Sequence, residues 1–144
     1  MWIQPLAILL LAAPLLGQST SPGDRIEAGF RTLSVGSWDD AFKEWKKDSL
    51  PLDGTGTEAQ SRLEAWIPKT WSIGRWEPIL TVPVATGWQR QWWMASFDQG
   101  VVFLAFDHVL HKGEWRLFRI EASRDPKALL PNLDVLAAQA QRPR

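Results

Sequence analysis

The chain has 144 residues, 45% hydrophobic and 22% charged, with ten tryptophans, no tyrosine and no cysteine. Its 16 basic and 16 acidic side chains cancel, so no global field recruits nucleic acid or acidic lipid. Without cysteine there is no disulfide, thiolate metal site or cysteine nucleophile, and a single domain must stand on its own core.

Residues 1–17, MWIQPLAILLLAAPLLG, carry no charged side chain. The apolar run from Leu6 to Leu16 is too short for a bilayer-spanning helix, which needs about 20 residues. It fits the apolar centre of a secretory signal, with small residues at Gly17 and Ser19 for cleavage. The segment lacks a leading Lys or Arg and is interrupted by Pro14, so an uncleaved anchor is the rival reading. The expectation is export to a bacterial periplasm or the extracellular space, with residues 1–17 removed as a signal peptide and no stable membrane span afterwards. LLGQ lacks the cysteine that a lipoprotein anchor requires.

Residues 18–23, QSTSPG, read as a flexible leader, and the domain begins at Asp24. Ile26, Phe30 and Leu33 fall at i, i+4 and i+7, one face of a helix. Gly36 ends it. Ser37, with Asp40 three residues on, opens a second helix whose apolar stripe is Trp38, Ala41, Phe42 and Trp45. Lys43, Lys46 and Lys47 lie on its solvated side. After the loop SLPLDGTGT a third helix starts near Thr57, carrying Leu63, Trp66, Ile67, Thr70 and Trp71 at helical spacing. Pro68 should kink or break it.

Beyond Gly74 the period changes from 3.6 to 2. RWEPILTVPVA (75–85) sets Trp76, Leu80, Val82 and Val84 on one face, and its prolines mark an edge strand. Thr86-Gly87 turns into GWQRQWWMASF, Asp98-Gln99-Gly100 into VVFLAFDHVL, and Lys112-Gly113 into EWRLFRIEA. DPKALLP then reads as a short helix, and residues 132–144 as a further helical turn and a frayed tail. The prediction is an α+β fold: three N-terminal helices packed on a curved four-stranded antiparallel meander, with a short C-terminal helix.

Strand alternation places Trp88, Arg90, Trp92, Met94 and Ser96 on one face, and Gln89, Gln91, Trp93, Ala95 and Phe97 on the other. Trp92 and Trp93 therefore look away from each other. VVFLAF is apolar on both faces, which implies two covers. The helices supply one. A second copy, a partner, or a curl of the sheet around its own cavity would supply the other.

The stretch GSWDDAFKEW (36–45) and the ending GEWRLFRIEASRDPKALLP (113–131) resemble the nuclear transport factor 2-like superfamily, the SnoaL-like or cystatin-like cone. The ending, in which the last strand runs into an Asp-Pro helix start, is similar to that of small exported members of unknown role. The resemblance spans residues 24–131 and is one of pattern rather than of invariant chemistry. It implies a curved sheet wrapped on helices, a pocket at the open end of the cone, and pairing of two copies through the outer sheet face. Members include isomerases, dehydratases, ligand carriers and dimerisation modules, so the fold leaves function open.

Enzymes of that superfamily place an Asp or His base, often with a Tyr, inside the cone. The absence of tyrosine puts a ketosteroid-isomerase-like oxyanion hole in doubt. Asp107 and His108 are the catalytic candidates, and as strand neighbours only one of them can face the interior. His108 shares a face with Leu104, Phe106 and Leu110, which suits either a tunable base or a structural histidine. His108 and His111 with Asp107 and Glu114 lack a third ligand at metal spacing, so neither metal nor cofactor is expected. Arg90 and Arg119 sit mid-strand, where each pairs with a carboxylate or meets an anionic ligand.

Three functions follow as expectations. The leading one is a non-catalytic domain that binds a small apolar or amphipathic ligand, or a protein partner such as a second copy. Its pocket or interface would draw on Trp66, Arg90, Trp92, Trp93, Phe106, His108 and Arg119. The second is a lyase or isomerase using His108 or Asp107. The third is a tryptophan-based carbohydrate-binding module.

Overall fold

The computed structural model describes residues 20–52 and 54–130. The expected signal segment 1–17 and the tail 132–144 lie outside the described residues. Helices α1 (Pro22–Val35), α2 (Trp38–Trp45) and α3 (Thr55–Trp66) precede strands β1 (Ile73–Ala85), β2 (Trp88–Phe97), β3 (Gly100–His111) and β4 (Glu114–Ser123). A single-turn helix, α4 (Pro126–Leu129), follows. The sheet order is β1-β2-β3-β4, antiparallel throughout, as the sequence predicts. Among the described residues no helix is long and apolar enough to cross a membrane.

Local chemistry sets the boundaries. The Ser21 side chain accepts from the Asp24 amide and Pro22 occupies the first turn, so Pro22 and Gly23 belong to α1 rather than to a flexible leader. Ser37 and Asp40 form a reciprocal capping box at the start of α2. Pro68 breaks the third helix outright: α3 ends at Trp66, with extended Ile67 as its C-cap. Trp71, spaced for that helix in the sequence, instead packs beside Gly100, where an added Cβ would lie 2.9 Å from its ring. Lys112 and Gly113 both take positive φ, 52° and 80°, the hairpin geometry that matches strand twist.

Two strands depart from simple alternation: β4 carries an extra residue, Phe118, opposite Asp107 and His108, and β1 is the more irregular. The β1–β2 register shifts between Pro78 and Leu80. Pro78 offers no ladder donor, and the extra residue Ile79 is left exposed. Trp76 therefore packs in the main core, whereas Leu80 and Val82 pack on the opposite side of the sheet. They do not share the single face that strict period 2 implies.

The main core lies between the helices and the inner sheet face. Ile26, Phe30, Phe42, Trp45 and Leu63 meet Trp93, Leu104, Phe106 and Ile120 there. Phe30 touches Trp45, Trp76, Trp93 and Phe106, with ring centroids 5.1–6.4 Å apart. The cone interior at this level is solid aromatic packing. A second cluster occupies the outer face, where Leu129 and Leu130 cover Trp92 and Ala105. Part of the second cover is thus the chain's own C-terminal turn. Asp125 caps α4 by accepting from the Lys127 amide, and this helps turn the chain back over the sheet.

Candidate functional site

Among the clefts of the described surface, three stand out. The one at the mouth of the cone has a volume of about 460 Å³, within the range of small-molecule sites. It lies between the α1–α2 turn and the α3–β1 linker. Leu33, Trp38, Ile67, Trp71, Ile73 and Phe97 supply apolar surface, and Ser34, Ser37, Asp39, Glu64, Lys69 and Ser72 supply polar groups.

Its walls are held from several elements. The capping box orients the first turn of α2, and Trp38 there packs 5.7 Å from Phe97 of β2, centroid to centroid. Opposite, the linker is tied to the β2–β3 turn by the Ser72 amide donating to Asp98 Oδ2 at 2.9 Å. Trp71 against Gly100 secures the same junction. Asp39 pairs with Lys43 at 2.7 Å, and this bond holds its carboxyl below the usual range. The cleft therefore presents an apolar floor beneath a charged rim.

The residues singled out in the sequence are distributed over the molecule rather than gathered in this cleft. Trp93 and Phe106 are packed in the inner core. The Trp93 indole donates to Gln91 Oε1 at 3.0 Å, which satisfies its N–H internally. Trp92 lies on the outer face, its indole donating to the Leu129 carbonyl at 3.0 Å. Arg90, also on the outer face, binds Asp107 through two hydrogen bonds of 2.7 and 2.6 Å. The Trp88 indole donates to the same carboxylate at 3.2 Å. Arg119 pairs with Glu121, and both line a side cleft of about 440 Å³ with Trp66, whose ring carries the Arg124 guanidinium at 5.0 Å.

His108 faces inward, as alternation predicts, between Gln89 on β2 and Leu117 on β4. It is 2% exposed, and its Nδ1 has no hydrogen-bond partner. Burial, and then the nearby Arg25 charge, push its imidazole down to about 4 against an opposing pull from Asp107. The ring is neutral at neutral pH and lines none of the three clefts. Asp107 is 1% exposed and occupied by Arg90. Among the described residues no group of three or more His, Asp or Glu is placed to hold a metal ion.

None of Trp38, Trp45, Trp66, Trp71, Trp76, Trp88, Trp92, Trp93 and Trp115 is fully exposed. The aromatic ring contacts the tryptophans make are with phenylalanine, as in Trp45–Phe106 and Trp88–Phe118. No pair of coplanar, exposed indoles, the requirement for a sugar-stacking platform, is formed by these residues.

No protein-family model matches the sequence, and no curated relative matches it. Solved structures do resemble it. A Thiobacillus denitrificans protein described as a calcium/calmodulin-dependent protein kinase type II association domain superposes with a TM-score of 0.51 at 13% identity, over 76% of this chain and 98% of that one. A cystatin-like domain of unknown function from Nostoc punctiforme gives 0.46 at 14% identity, over 85% and 93%. An uncharacterised cystatin-like protein from Caulobacter vibrioides gives 0.43 at 15% identity, over 80% and 97%.

Proposed function

From the premise that the chain carries the nuclear transport factor 2-like cone fold, we propose that it is an exported, non-catalytic domain that binds a small apolar or amphipathic molecule at the cone mouth. The observation that carries this reading is the cleft of about 460 Å³, with an apolar floor of Trp38, Trp71, Ile67 and Phe97 under polar and charged groups. A few polar groups around an apolar floor orient a ligand while burial supplies most of the affinity. The lyase or isomerase alternative asks His108 or Asp107 to reach a substrate, and each is instead enclosed by packing or by an ion pair. Partner binding, the other half of the expectation, is favoured by the association-domain description of the Thiobacillus protein. It would have to use the outer sheet face that α4 already occupies in part.

The test is fluorescence titration of the full-length protein with N-phenyl-1-naphthylamine, a neutral apolar probe. One saturable site is expected. Trp71→Ala should weaken it about tenfold through lost apolar contact, while Trp88→Ala, at the far end of the β1–β2 hairpin, should leave it unchanged. Unsaturable binding, or equal effects of the two variants, would defeat the proposal.

A further inference from the structure

Asp39, Glu64 and Lys69 are the ionisable side chains that line the cone-mouth cleft, and they are not equivalent. Asp39 is already engaged. Lys43 holds it at 2.7 Å, and the Gln60 side chain bonds it as well. Glu64 accepts from Gln60 Nε2 at 3.0 Å and makes no ion pair among the described residues. It sits in the last turn of α3, which contains no basic residue. The carbonyl end of a helix carries partial negative charge, so Glu64 and the helix terminus together make a negative pole that a cation would relieve.

Lys69 is the opposite pole. It follows the break at Ile67-Pro68, in a turn closed by the Trp71 amide donating to the Pro68 carbonyl at 2.9 Å. It too makes no ion pair among the described residues, and the Ser72 hydroxyl lines the same cleft. The two poles share one apolar floor, which includes the indoles of Trp38 and Trp71. Indoles favour an ammonium group beside them. A singly charged head would satisfy one pole and be repelled by the other. A neutral head would use neither.

We propose, resting on the cone-mouth reading above, that the ligand is a single-chain amphiphile with a zwitterionic head. Its ammonium lies at Glu64, its oxyanion at Lys69, and its chain along the floor. Both charged residues are exposed, so the floor supplies most of the affinity and the poles select the head.

The test is displacement of N-phenyl-1-naphthylamine from the full-length protein at low salt. The competitors share a dodecyl chain and differ in head: dodecylphosphocholine, dodecyltrimethylammonium, dodecanoate and dodecyl maltoside, each below its micelle concentration. Dodecylphosphocholine should displace the probe at about threefold lower concentration than the others, the scale of exposed ion pairs. High salt, which screens such charges, should remove that advantage. Glu64→Gln should move dodecanoate ahead of dodecyltrimethylammonium, and Lys69→Met should give the reverse order. Each comparison is a ratio within one variant, so a general loss of affinity or folding cancels. Equal potency of all heads, or one order of heads in the parent and both variants, would overturn the zwitterion proposal. Saturable probe binding alongside that result would leave the cone-mouth site itself standing. Unsaturable probe binding would defeat the site and this proposal with it.

Discussion

Arg90 and Asp107 face each other across β2 and β3 through two short hydrogen bonds, and the Trp88 indole closes the third side of the carboxylate. Asp107 is almost wholly out of water, so removing its cation leaves a buried charge with a single neutral donor. Arg90→Met should therefore cost about 3 kcal/mol, the low end for breaking a buried pair because Arg90 is itself partly open to solvent. Adding Asp107→Asn should recover part of that loss, a coupling that urea denaturation of the two singles and the double reads out. A single variant as stable as the parent would show that the pair contributes nothing.

His108 makes the fold sensitive to acid. Its folded pKa of about 4 lies below the unfolded value near 6.5. The unfolded chain binds the extra proton between those values, so stability is complete above pH 6.5 and falls as the pH drops towards 4. The shift corresponds to roughly 3 kcal/mol at the acid end. His108→Leu should flatten the difference in urea midpoint between pH 7 and pH 4.5 relative to the parent. An unchanged pH dependence in that variant would place the acid sensitivity elsewhere.

Gly29 lies beneath the Trp45 ring, where a Cβ would come within 1.9 Å of Nε1. That indole donates to the Ile26 carbonyl at 2.9 Å and packs on Phe30, Phe42 and Phe106, so it has little room to withdraw. Gly29→Ala should destabilise by about 3 kcal/mol despite the better helix propensity of alanine, because overpacking outweighs roughly 1 kcal/mol of propensity. Calorimetry of the variant decides the sign.

Ser37 works at the surface. Its hydroxyl accepts from the Asp40 amide at 3.2 Å, and Asp40 returns a bond to the Ser37 amide at 3.0 Å. Ser37→Ala should lower stability by about 1 kcal/mol, the usual value of an N-cap. Because this turn forms one wall of the cone mouth, the same variant should also weaken N-phenyl-1-naphthylamine binding.

Period and punctuation made most of the architecture legible. The 3.6 spacing of Ile26, Phe30 and Leu33, the Ser37–Asp40 cap, and the turns at Gly87 and Gly113 are local signals, and the elements they announce are present. The opposed faces of Trp92 and Trp93 follow from strand geometry alone, and the two residues lie in separate clusters. The site was less legible. Trp71 looked like part of the third helix, yet it lies in the linker and lines the cone-mouth cleft because Pro68 releases that segment and Asp98 captures it. Trp38 keeps its predicted place on the apolar stripe of α2 and lends one edge to the same cleft.

Pattern in the chain determined which residues turn the same way, because a side chain's direction follows from the backbone period it sits in. It did not determine what each face would meet. Whether Arg90 finds Asp107 or a ligand, whether Trp92 is covered by Leu129 or by another molecule, and where Pro78 slips the register depend on segments far apart in the chain arriving at one place. Those outcomes belong to long-range packing, where close fit and the pairing of buried polar groups choose among arrangements that local propensity leaves equal.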